Sequence, residues 1–151
     1  MGRASASISV PGRAADAEAL WYDPKRWASW VDGFGHLVEL EGDWPQTGAR
    51  LLWESTPGGR GRVHERVVAY ESRTGQTVEV EDATVTGRQR VAFTPGPEEV
   101  EITLSLEYEI KDRTALTPLV DLLFVRRAMT ESLSRTLRRF VTERKAEIQF
   151  G

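Results

Sequence analysis

The chain contains no cysteine. Disulfides, thiol nucleophiles and cysteine-ligated zinc are therefore excluded. There are two histidines, His36 and His64, too few for a histidine-rich metal site. Nothing in the pattern supports a carboxylate-built site either, so no metal and no cofactor is expected. No apolar run approaches the roughly 18 residues of a membrane-crossing helix. The longest, residues 119–125, is interrupted by Asp121. The first ten residues lack the apolar core of a signal peptide. The expectation is a cytoplasmic protein without an integral membrane segment. Neither sign of charge dominates, since the net charge is −3 and the pI near 5.5. Arginines on the last helical segment (126, 127, 135, 138, 139 and 144) are spread around it rather than gathered on one face. That argues against a nucleic-acid partner.

What is present reads as one domain over residues 1–151, long enough to bury a core. Ala6, Ile8 and Val10 alternate with Ser5, Ser7 and Ser9, the period-two signature of a strand, and Pro11-Gly12 ends it. Residues 13–21 are alanine-rich and helical. Asp23-Pro24 starts a second short helix with a capping aspartate and a proline at its first position. It runs to Trp30, and Gly33 and Gly35 stop it. Strands follow over 36–41, 49–55, 62–71, 76–82, 88–94 and 100–111, separated by turn residues. In the last, Val100, Ile102, Leu104, Leu106, Tyr108 and Ile110 share one face, while charged and hydroxyl residues hold the other. One dry face and one wet face describe an antiparallel sheet covered on a single side.

Thr117-Pro118 opens the final helix, with Thr117 as cap and Asp121 in the first turn, where the helix dipole favours it. The helix is expected to reach Glu147. At about 100° per residue, Leu119, Leu122, Leu123, Met129, Leu133, Leu137, Phe140 and Val141 form one apolar stripe. A sheet with one apolar face and a helix with one apolar stripe must cover each other. A straight helix cannot follow a curved sheet along its whole length, so a cavity is expected between them. The fold class is α+β.

The opening Ser5-Ala6-Ser7-Ile8-Ser9-Val10-Pro11, the segment Asp23-Pro24-Lys25-Arg26-Trp27-Ala28-Ser29-Trp30, the run Gly61-Arg62-Val63-His64-Glu65-Arg66-Val67 and the terminal helix together resemble the START/polyketide-cyclase (SRPBCC) superfamily over residues 4–147. The resemblance implies the helix-grip fold: a curved antiparallel sheet of about seven strands wrapped around a long C-terminal helix, with two short helices after the first strand. Members include lipid and hormone carriers, quinone-binding proteins, and aromatases and cyclases that act on polyketides. They share no universal catalytic signature, so no catalytic residue is carried over.

Several residues are candidates for lining the cavity. Arg126 lies in the middle of the helix stripe. It would either bind an anionic ligand group there or leave sideways into solvent or an ion pair. Glu65 and His64 are adjacent on one strand and point to opposite faces. Val63, Val67 and Ala69 share a face with Glu65, and Arg62 and Arg66 one with His64, which favours Glu65 inside, as a buried acid or base or as an ion-pair partner of Arg126. A bulge would bring His64 inward instead. Trp53 and Tyr108 would form an aromatic wall or pack in the core. Leu104, Leu122 and Met129 complete the apolar lining. Trp27 and Trp30 anchor the short helices, and Trp30 could close the cavity base. Gly58-Gly59-Arg60-Gly61 precedes no helix, so it reads as a mobile hairpin tip rather than a phosphate loop. Phe124 and Val125 fall off the stripe, under a loop or in a homodimer contact.

The first functional expectation is a binding module for a small hydrophobic or aromatic ligand such as a lipid, quinone or polyketide-like compound. The alternatives are a cyclase, aromatase or dehydratase using the same cavity, and a regulatory protein that binds a partner through its helix surface.

Overall fold

A computed structural model of the chain describes residues 2–111 and 118–150, and the side chains of the last helix from Phe124 onward. Strand β1 (Gly2–Pro11) leads into helix α1 (Ala14–Trp21). A 3-10 turn (Pro24–Arg26) follows and continues into the short α2 (Trp27–Trp30). Then come β2 (Phe34–Glu41), β3 (Arg50–Ser55), β4 (Arg62–Glu71), β5 (Gly75–Glu81), β6 (Val85–Pro95), β7 (Glu99–Ile110) and the long α3 (Pro118–Phe150). This is the expected order. Asp23 caps the 3-10 turn by accepting from the Lys25 amide at 3.1 Å. The expected Thr117 cap, and the side chains of Leu119, Asp121, Leu122 and Leu123, lie outside the described residues.

The seven strands form one sheet in the order β1-β7-β6-β5-β4-β3-β2, and each neighbouring pair is antiparallel. The first strand thus returns to pair with the last, while the five between follow as a meander. Alternation decides the buried face: Val100, Ile102, Leu104, Leu106 and Tyr108 of β7 are buried between more exposed neighbours. α3 lies on that face, against β1, β7 and α2. No helix among the described residues is long and apolar enough to cross a membrane.

The C-terminal half of α3 is pinned by an aromatic cluster. The Phe140 ring, fully buried, meets Trp30 at 5.0 Å and Trp21 at 5.2 Å, and the two indoles lie 4.6 Å apart. Leu133, Thr136, Leu137 and Arg144 are buried on the same side of the helix. The N-terminal half differs. From 124 to 132 no residue is fully buried. Arg126, which helical spacing puts on the apolar stripe, is exposed there: the stripe continues in sequence but is no longer covered by sheet. Phe124 is 73% exposed, and Val125 is only partly packed on the core.

Two local features revise the expected faces. A bulge in β4 between Val67 and Ala69 turns Ala69 outward and lets Tyr70 pack inward against Tyr22 at 5.6 Å. The bulge lies beyond Glu65, so Glu65 keeps the inward side and His64 stays exposed. Tyr108 is paired with Gly2 on β1 and Gly87 on β6. A Cβ on Gly2 would sit 2.2 Å from the Tyr108 ring, and one on Gly87 would sit 2.1 Å from the Glu107 carbonyl. The ring is accommodated between two strands that carry no side chain opposite it.

The aromatic cluster makes Phe140 a strong anchor. Phe140→Ala should lower the unfolding free energy by about 3–5 kcal/mol, read from urea denaturation. Phe124→Ala, at an exposed site, should change it by less than about 0.5 kcal/mol.

Candidate functional site

Where the first half of α3 separates from the curved sheet there is a cavity of about 290 Å³. All five tryptophans of the chain contribute to its wall. Trp21 ends α1, Trp27 and Trp30 bound α2, Trp44 lies in the β2–β3 loop and Trp53 in β3. Two of the indole N–H groups donate to backbone: Trp27 Nε1 to the Trp21 carbonyl and Trp44 Nε1 to the Tyr22 carbonyl, each at 2.8 Å. Trp30 Nε1 is buried without a partner. Leu51, Val80, Leu104, Met129 and Leu133 complete the apolar wall. Three lining residues are exposed: Arg60 in the β3–β4 hairpin, Thr84 in the β5–β6 turn and Ala128 on α3. They mark the mouth, at the end of the sheet where both hairpins turn.

Four lining residues carry charge: Asp32, Arg60, Glu65 and Asp82. Asp32, just after α2, is held by α3. It accepts from Ser132 Oγ at 2.7 Å, from Arg135 Nε and Nη2 at 3.2 and 3.1 Å, and from Arg139 Nη1 at 3.3 Å. Burial opposes its ionisation, but the bonds from Arg135 and Ser132 outweigh it and hold the carboxyl below its ordinary range. Asp82 is nearly inaccessible and receives Arg60 Nε at 2.8 Å and the amides of Thr84 and Val85 at 2.8 and 2.9 Å. Burial again opposes ionisation and the combined donors again prevail, so this carboxyl too is depressed. Arg60 thereby spans the mouth, its guanidinium 5.5 Å from the centre of the Trp53 ring system.

Glu65 is different. Its Oε2 accepts from Trp53 Nε1 at 2.5 Å, and it forms no ion pair among the described residues. Removal from water raises its pKa, and neither the Trp53 bond nor the field of Arg60 cancels that rise. The cavity therefore holds one carboxyl that is reluctant to ionise, against a wall of indoles.

A family model described as polyketide cyclase/dehydrase and lipid transport matches residues 1–144. The chain belongs to this family. Three solved structures share the fold. The di-domain aromatase/cyclase StfQ from the steffimycin biosynthetic pathway aligns with a TM-score of 0.78 at 16% identity, over 97% of this chain and 51% of that one. Norcoclaurine synthase from Thalictrum flavum, in complex with dopamine and hydroxybenzaldehyde, gives 0.68 at 17% identity, over 99% and 87%. DynU16, a protein of the dynemicin biosynthetic locus, gives 0.67 at 18%, over 94% of this chain. The chain spans 46% of DynU16 and about half of StfQ. At these identities the likeness is one of fold. No functionally curated protein matches the sequence.

Of the residues singled out from sequence, the fold brings Trp30, Trp53, Glu65, Leu104 and Met129 together on this polyketide cyclase-family cavity. Val67 and Tyr108 are buried but do not line it. Val67 lies beside the β4 bulge, and Tyr108 sits between β1 and β6 as described. Arg126 points to solvent rather than into the cavity, because the helix has left the sheet at that level. Leu122 lies outside the described side chains. The cation near Glu65 is Arg60, from the hairpin read as a mobile tip, and it is tied to Asp82 rather than free. Asp32, Asp82 and Arg60 had no periodic pattern to reveal them, since each sits in or next to a turn. A weak signal existed in Asp82-Ala83-Thr84, the spacing at which an aspartate caps its own turn.

A carboxyl with a folded pKa above its unfolded value is stabilising below the unfolded value and loses that contribution as pH rises through the folded one. Glu65→Gln should therefore raise stability at pH 7 and leave it unchanged below about pH 4, the ordinary glutamate range. Urea titrations of both proteins at the two pH values measure this. Equal stability differences at both would mean that Glu65 is not the source.

Proposed function

We propose that the cavity binds a compact apolar or aromatic molecule of one or two rings, with Glu65 as its polar anchor. The observation that carries this is a cavity of about 290 Å³ walled by every tryptophan of the chain. That volume falls at the small end of the roughly 300–1,000 Å³ typical of ligand sites. It suits a ring system better than an extended lipid or a long polyketide chain, and narrows the ligand classes expected from sequence toward quinone-like or simple aromatic compounds. Trp30, Trp53, Leu104 and Met129 would supply apolar contact, and each buried CH₂-sized group contributes roughly 0.8 kcal/mol. Val67, Tyr108 and Arg126 have no contact role in this reading.

A second reading is catalytic: a cyclase- or dehydrase-type step in which Glu65 moves a proton. The raised pKa of Glu65 favours it, because a carboxyl that burial makes reluctant to ionise can act as a general acid and, once ionised, as a base. Such a step would also draw on the cavity to hold a reactive chain in one conformer. The partner-binding alternative requires an exposed Phe124 together with a filled cavity. Phe124 is exposed, but the cavity is open.

Titration with 2-naphthol, a neutral two-ring probe, followed by tryptophan fluorescence, tests the binding reading. Saturable quenching is expected with a dissociation constant in the micromolar range, about −8 kcal/mol at 1 μM. Leu104→Trp, which fills the cavity, should abolish it while the circular dichroism spectrum stays native. Unsaturable quenching, or quenching unchanged by the filling variant, would reject the cavity as a binding site.

A further inference from the structure

The charges around the cavity do not balance at the ligand's position. Among the described lining residues there are three carboxylates, Asp32, Glu65 and Asp82, and one cation, Arg60. Two of the carboxylates are already neutralised by protein. Asp32 takes Arg135 and Arg139 from α3, and Asp82 takes Arg60. The remaining one, Glu65, is left with a single neutral donor, the Trp53 indole. Its flanking partners in the sheet are apolar, Leu51 on β3 and Val80 on β5. Facing polar groups such as Gln76, Gln89 and Ser132 are uncharged, and the one cation acting on it is Arg60, whose charge Asp82 offsets. Burying a carboxylate without a counter-charge is costly, and a protein tolerates it where something else completes the pair. The rest of the wall mixes aliphatic side chains with five indoles, whose π faces attract cations. An acidic oxygen in a cavity that also presents indole rings is complementary to a compact aromatic cation and repels an anion.

Resting on the reading that this cavity holds a ligand, we propose that its ligand is a small arylalkyl amine, bound as the ammonium, with the charge on Glu65 and the ring against the tryptophan wall. Glu65 is then the residue that determines specificity for charge, and the tryptophans determine it for size. The lone carboxyl is completed by the ligand rather than by the protein. Carboxylic acids of the same shape are excluded by the same group.

Three probes of one shape isolate the charge: 2-phenylethylamine, 2-phenylethanol and phenylacetate, each titrated by calorimetry into the full chain at pH 7. The amine is expected to bind at least about tenfold more tightly than the alcohol, and the acid more weakly than either. Glu65→Gln should reduce the amine's advantage over the alcohol to less than about threefold. If that variant also loses the alcohol, Glu65→Asp, which keeps the charge, must retain the amine preference. Equal or tighter binding of the alcohol or acid overturns the inference, as does an amine preference that survives Glu65→Gln or vanishes in Glu65→Asp. Failure of the amine to bind while 2-naphthol binds overturns this inference and spares the cavity reading. Failure of both overturns both.

Discussion

The structure depends on one contact, the edge-to-face packing of Phe140 against Trp21 and Trp30. Helix α3 is straight and the sheet is curved, so the two can touch closely over only part of their length. The aromatic cluster decides which part. It fixes the C-terminal half of α3 to α1 and α2, with Leu137 and Leu133 following the same side. Between Leu133 and Phe124 no residue of the helix is fully buried. The cavity is the space this leaves, and its base is the back of the same cluster, since Trp21 and Trp30 belong to both. The residues that hold the fold together thus also set the floor of the site. A change in the packing of Phe140 would be transmitted directly to the cavity.

The ion pairs follow the same geometry. Asp32 extends the clamp by tying the segment just after α2 to Ser132, Arg135 and Arg139, on the stretch of α3 that leads up to Phe140. At the opposite end, Arg60 and Asp82 join two hairpins across the mouth. Both pairs combine partial burial with several hydrogen bonds to one carboxylate, the arrangement in which ionisation is favoured despite loss of water. Glu65 lines the same cavity with neither arrangement. An enzyme of this family would draw on the same asymmetry, because a carboxyl pushed upward beside two pushed downward is how a site separates an acid from structural anions.

The element order, the two short helices and the dry faces of β1 and β7 were legible in sequence, because a period-two pattern reports which face is dry without reference to the partner. The inward placement of Glu65 was legible for the same reason. Ala69 was misassigned because a bulge shifts the alternation by one residue, and no pattern within β4 marks it. Tyr108 was legible as buried but not as withdrawn from the cavity, although its pairing with Gly2 and Gly87 follows once the register is known. Arg126 failed for a different reason. Its helical position was read correctly, but exposure depends on whether sheet lies opposite, and that is a property of the other element.

By itself the sequence determined local conformation and sidedness: caps, turns, alternation and the stripe of α3, all of which depend on neighbours a few residues away. It also limited the chemistry, since without cysteine and with two histidines the polar work falls to carboxylates and arginines. Tertiary structure alone decided which charges meet. Arg60 finds Asp82 and Asp32 finds Arg135 and Arg139 because loops distant along the chain converge at the ends of a curved sheet. No local pattern encodes that convergence. The state of Glu65 is the remainder of the same pairing: among the described residues it accepts from an indole and forms no ion pair.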